Sequence, residues 1–262
     1  MSPPSSPCHP GLITFVVAGL TTSAPPPSSN PPPWLLDSQN QTKHFLANLK
    51  ATIPSLHVLE AVNGYNHSEV VEALLRSRLK FHSLSVGGKK WGKLAAFLTK
   101  FSALELQVSR RWPFMVLFDE DVQLHRNEFF DFLRRACSIY DREQPAIMQL
   151  SWYAEVLLTS LPGAAQLVEK IRAYGILKND DQQMLDGRGM GTFAARRFRK
   201  HGSRPPWTLA RPTNSQNGHI RRTRKLTWAE MALLRLLTDR DTAVRLPSFG
   251  NPRDTDFYES GW

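Results

Sequence analysis

Two periods of hydrophobic spacing alternate along the chain. Residues 12–18, Leu-Ile-Thr-Phe-Val-Val-Ala, form a largely β-branched apolar run, which predicts a strand buried on both faces. Helical spacing follows over 37–51, where Phe45, Leu46 and Leu49 share a face and Pro54 forbids continuation. Residues 56–62 predict a second strand, closed by the turn pair Asn63-Gly64. Ser68 stands where it can cap a helix carrying Val70, Val71, Leu74 and Leu75. Beyond the glycine-rich basic loop 87–92, a helix is predicted over 93–110 with Leu94, Phe97, Leu98, Phe101 and Leu104 inward. Residues 113–118, Pro-Phe-Met-Val-Leu-Phe, predict a third strand that runs directly into Asp119-Glu120-Asp121. Asn127 is placed to cap a helix over 128–140, and 146–150 and 155–159 read as further strands. Ser160 opens a helix through Ala164, Leu167, Val168 and Ile171, which Gly175 ends. A polar segment, 178–183, follows, and 227–238 has the spacing of an amphipathic helix.

Strands alternating with helices at this spacing predict an α/β fold, a mostly parallel sheet with helices on both faces. The chain divides into a disordered tail at 1–10, an α/β domain at 11–185 with a Pro-rich loop at 21–33, a basic segment with a helix at 186–246 and a polar tail at 247–262. Ligands of such sheets bind beyond the carboxyl ends of the strands, which puts residues 119–121 where a site belongs.

Composition narrows the class. Hydrophobic residues make up 41% of the 262, enough for a core, so the chain is not disordered as a whole. A formal charge of +10 favours anionic partners: nucleotides, phosphorylated sugars, nucleic acid or a membrane surface. Of the two cysteines, Cys8 lies in the tail and Cys137 in a predicted helix, so both are expected as free thiols, and two cysteines make no zinc site alone. No segment approaches transmembrane length, and the start lacks the basic residues of a signal peptide. That absence predicts a cytoplasmic location; the sequons Asn40-Gln41-Thr42 and Asn66-His67-Ser68 keep the secretory lumen, Golgi or endoplasmic reticulum, as the alternative.

Three carboxylates at the end of an apolar strand repel one another and resist desolvation. A divalent cation removes both problems, and oxygen ligands at this density suit Mn²⁺ or Mg²⁺, which also bind diphosphate oxygens. The bland alternative is a solvated acidic turn. Asp131, on the next helix, reads as a surface residue.

From Lys93 to Asn127 the sequence resembles the glycosyltransferases of family 25 and related GT-A fold enzymes, the lipooligosaccharide-type and collagen-type sugar transferases. In these a helix with a Ser/Thr-rich segment precedes an apolar strand ending in Glu-Asp-Asp-Val, and Asp119-Glu120-Asp121-Val122 matches that motif. Leu59-Glu60-Ala61-Val62-Asn63-Gly64 is similar to the family's Ala-Val-Asp-Gly segment. The stretch 155–165 is similar to its strand-to-helix turn, and Asp181-Gln182-Gln183-Met184 to the Asp-x-Gln-Leu beyond it. The matches span roughly residues 12–185. The chain departs from the pattern in its Pro-rich loop, its Asp-Glu-Asp order and Asn63 in place of Asp.

The resemblance implies a GT-A-like, Rossmann-type sheet and a metal-dependent hexosyltransferase. It would move a sugar from a nucleoside-diphosphate donor, UDP-linked, to a glycan or protein acceptor. Asp119 and Asp121 become the metal residues, and Asp119, Glu120, Lys93 and Asn63 the donor contacts; Lys93 reads equally as a solvated helix end. A sugar hydroxyl needs a general base, for which Asp181 is the first candidate and Glu155 the second, each with an ordinary surface or capping acid as its alternative.

Eleven Lys or Arg residues and no acid fall between 187 and 229. They read either as an anion-facing flap or as a solvated arm. His219 in this stretch is a candidate for completing a metal shell. Three other functions compete. Val-Leu-Phe-Asp-Glu-Asp resembles the first motif of haloacid-dehalogenase-type phosphotransferases, although Gln123 stands where that family has Thr or Val. The others are an inactive glycosyltransferase-like protein and an anion-binding protein; no nucleic-acid motif accompanies the basic run, and nucleic acid is not the expected partner.

Overall fold

The computed structural model describes residues 7–19, 33–84, 90–120, 122–150, 155–178, 181–185, 195–197, 207–209 and 223–239. Among them β1 (Ile13–Gly19), β2 (His57–Glu60), β3 (Phe114–Asp119), β5 (Ile147–Gln149), β6 (Val156–Ser160) and β7 (Ala195–Arg197) form one sheet in the order β2-β1-β3-β6-β5-β7. A separate ribbon pairs β4 (Val122–Leu124) with β8 (Trp207–Leu209). The helices are α1 (Pro33–Thr52), α2 (His67–Ser77), α3 (Trp91–Arg110), α4 (Arg126–Glu143), α5 (Leu161–Tyr174) and α6 (Trp228–Thr238).

The protein is α/β with a mixed sheet. β2, β1 and β3 run parallel as expected, and so do β5 and β7, but β6 is antiparallel to both of its neighbours. Chain length explains the reversal. Residues 150–155 connect β5 to β6, whereas a parallel crossover needs a dozen residues or more. The polarity therefore brings the ends of β1, β2, β3 and β5 and the start of β6 to one edge.

Strand periodicity builds two cores. Val16 and Ala18 of β1 share a face with Met115 and Leu117 of β3, packed under α2, α3, α5 and α6. Phe15 and Val17 share the opposite face with Phe114, Val116 and Phe118, packed against α1 and α4. A side chain that moves one position along β1 or β3 changes cores.

The predicted helices are present, with two caps corrected. α2 is capped by Asn66, whose Oδ1 accepts from the Glu69 N–H at 3.3 Å, not by Ser68, which falls inside the helix. The helix expected to start after Asn127 starts at Arg126, with His125 as the extended residue before it. Ser160 caps α5 through Gly163 N–H at 3.2 Å, and Gly175, at φ +71°, ends it, both as expected. Asp131 lies on the surface and pairs with Arg134.

The expectation of free thiols is overturned: Cys8 and Cys137 are joined in a disulfide, 129 positions apart in sequence. Residues 7–10 are accordingly not a disordered tail. Cys8 is buried, and its N–H donates to Asp141 Oδ1 at 2.7 Å on α4. β1 and α4 pack in the same core, so the residues just before β1 reach α4, a proximity that spacing along the chain does not encode. Residues 20–32, residues 87–89 of the glycine-rich loop, most of the basic run with His219, and the tail 247–262 lie outside the described residues. No helix of the described residues is long and apolar enough to cross a membrane.

Candidate functional site

A cavity of about 110 Å³ opens where β1 and β3 end. Its floor is Ala18 of β1 and Asp119 and Glu120 at the end of β3; one wall is the turn after β2, with Ala61, Gly64 and Tyr65; the other is the first half of α3. The space exists because the walls are small. Gly64 meets α3 so closely that a Cβ on it would stand 2.6 Å from Gly92 Cα. Thr99 ties the same two elements: its hydroxyl accepts from Val62 N–H at 2.9 Å and donates to Ala95 O at 2.9 Å.

Strand parity aims Asp119. It continues the row of Met115 and Leu117, the row that faces α3, and there it meets Lys100, whose Nζ lies 3.7 Å from Asp119 Oδ2. Lys100 has only 7% of its side chain exposed, against 33% for Asp119. A buried ammonium is retained where a carboxylate answers it. Glu120 turns back over the end of β1, and a Cβ on Gly19 would fall 2.6 Å from Glu120 Oε2. Gly19 thus leaves the room that brings the second carboxylate beside the first.

The other expected site residues are placed variously. Glu155 is buried one step beyond β6, and its carbonyl accepts from Asp119 N–H at 2.8 Å, but its side chain does not line the cavity. Asn63 belongs to the turn beside the cavity and not to its wall: Oδ1 accepts from Tyr65 N–H at 3.0 Å, while its own N–H donates to Glu69 at 2.9 Å. Its amide therefore shapes the turn, as a residue with a free acceptor at that position would. Lys93, in the first turn of α3, is half-buried and also outside the lining. Asp181 opens a one-turn π-helix, Asp181–Leu185, that packs beside β5. β5 is two strands from β3, a separation of about 10 Å at ordinary strand spacing. In that turn Gln183 is structural, accepting from Leu177 N–H at 2.9 Å and donating to Gly175 O at 2.7 Å. Asp121 lies outside the described residues.

Two contributors escaped the sequence reading. Lys100 lies three residues after Phe97 and four before Leu104, on the apolar stripe of α3, and a cation on such a stripe is the signal that marks it. The second is the chain around Thr223, which lines the cavity. Here the backbone returns across the start of α3: Gly92 N–H donates to Thr223 Oγ1 at 3.1 Å and Trp91 N–H to Arg224 O at 3.3 Å. These bonds satisfy helix-end donors that Lys90, with no side-chain cap, leaves open. Arg224 is held by Glu230, and that pairing draws the Glu230 carboxyl down to about 2. His67 stacks on Trp91 at 4.3 Å between ring centres, and burial, with Arg224 nearby, lowers its pKa.

Among the described residues, no three His, Cys, Asp or Glu side chains come together as a preformed metal cluster. Asp119 and Glu120 supply two carboxylates at one cavity, which suits a cation that completes its shell with water and phosphate oxygens. No protein-family model matches the chain, and no curated protein matches it.

Proposed function

We propose that the chain is a metal-dependent glycosyltransferase of GT-A type, taking a sugar from a UDP-linked donor to a glycan or protein acceptor. The observation that carries this reading is the convergence of Asp119, Glu120 and Lys100 on one cavity at the carboxyl edge of the parallel strands. That edge is where sheets of this polarity hold nucleotides. The motif resemblance around Asp119-Glu120-Asp121 supports it independently.

Asp119 and Glu120 would hold Mn²⁺ or Mg²⁺ together with the donor diphosphate, with Asp121 as the further carboxylate of the motif. When bound, the ion supplies charge neutralisation at the leaving nucleoside diphosphate. Lys100 supplies fixed positive charge beside Asp119, so the ionised carboxylate tolerates its partial burial. Glu155, one ladder step from Asp119, is the nearer of the two general-base candidates, and Asp181 the more distant.

The test is calorimetric titration of UDP-hexoses with and without Mn²⁺, on the natural chain and on Asp119→Asn and Lys100→Met. Binding should require Mn²⁺ and weaken at least about tenfold in each variant, the cost of one charged contact. Binding indifferent to both metal and substitution would overturn the proposal.

A further inference from the structure

Helix α6 is apolar on two sides. Met231 and Leu234 enter the core beneath it. On the outer side, one row at four-residue spacing holds Trp228 and Leu236 and the next holds Leu233 and Leu237. Trp228 is 74% exposed, Leu236 75% and Leu233 53%. Helices that are apolar all round are covered in their working state. α6 is also firmly seated, since Phe81 N–H donates to Thr238 Oγ1 at 2.9 Å and Arg235 Nε to His82 O, so the face is presented by a fixed element.

Charge selects what covers it. The basic run of eleven cations leads directly into α6, and the acids at its two ends, Glu230 and Asp239, are held by Arg224 and Lys80. A second copy would bring +10 against +10. Nucleic acid would answer the cations but not the leucines. An anionic bilayer surface answers both, taking Trp and Leu side chains into the interface while its headgroups meet Lys and Arg. We infer that α6 is a membrane-surface anchor: its outer face, with Leu233 and Leu236, docks on anionic lipid, drawn by the net positive charge of the chain. The inference is independent of the catalytic reading.

The test is co-sedimentation of the full chain with vesicles of phosphatidylcholine alone and of phosphatidylcholine mixed with phosphatidylserine. The natural chain should bind the mixed vesicles, release them as salt rises, and bind neutral vesicles at least about tenfold more weakly. Leu236→Gln and Leu233→Gln alter exposed positions, so circular dichroism and Tm should be unchanged while affinity falls at least about threefold in each. Failure to bind anionic vesicles overturns the anchor. So does undiminished binding by both glutamine variants, which would make the attraction purely electrostatic. Light scattering that shows a dimer abolished by Leu236→Gln would assign the face to a second copy and overturn it equally.

Discussion

Thr99 is the hinge-pin of the candidate site at the scale of single residues. One hydroxyl satisfies the part-buried Val62 N–H and the Ala95 carbonyl, joining the turn after β2 to α3 across the cavity. Thr99→Val keeps the shape and removes both partners. The Val62 N–H then has no acceptor, and the variant should lose about 1–2 kcal/mol of unfolding free energy in urea. An unchanged midpoint would mean that the turn is held by other contacts. Asp119 and Glu120 were legible at this scale because two carboxylates after an apolar run are conspicuous. Lys100 was equally legible in principle, since helical spacing alone places it on the buried stripe of α3. Asn63 lies beside the cavity with its Oδ1 turned to the Tyr65 N–H, since residue identity at a motif position does not say which way an amide faces.

The elements carry a covalent surprise. Cys8 and Cys137 close a loop that takes in β1, β2, α3 and β3, the elements around the cavity. Closing so long a loop restricts the unfolded chain, so Cys137→Ala should lower stability by about 2–4 kcal/mol, read as a shift in the denaturation midpoint. A thiol assay on the unreduced, unfolded protein should find no free cysteine, and two titratable thiols would contradict the pairing. Disulfides of this kind form and persist in oxidising compartments and are rare in the cytosol. Largely apolar stretches of five to seven residues made β1 and β3 readable in advance. The three-residue strands β4, β7 and β8 were not, because, unlike β5, they do not stand in a continuous apolar stretch and offer too few positions for a period of two. The antiparallel turn of β6 was readable from its short connection, a constraint that the strand-helix alternation overrode.

For the molecule as a whole, the seam between the α/β body and the returning segment 223–239 is where pH should act. Two histidines lie on it. His67 faces Trp91, Arg224 and Glu230; burial lowers its pKa first, and the Arg224 charge adds to the effect. His82, whose carbonyl holds Arg235, is lowered by burial, then by Lys80 and Arg235, with Asp239 opposing. A histidine held below its unfolded value of 6.5 binds its proton more readily in the unfolded chain. Stability is therefore full above that value and declines as pH falls through it towards the lower folded pKa. Glu230 acts below this interval, because the stability its depressed carboxyl contributes is lost as pH falls from the unfolded value of 4.5 towards about 2. Thermal unfolding should show Tm falling by a few degrees between about pH 7 and pH 5. The slope should flatten in His67→Asn with His82→Asn. Since Thr223 lines the cavity and, with the Arg224 carbonyl, caps α3, binding of the proposed UDP-linked donor should weaken over the same interval in the natural chain and less in the double variant. A Tm that ignores pH across this range, or a double variant with the natural slope, would locate the acid sensitivity away from the seam.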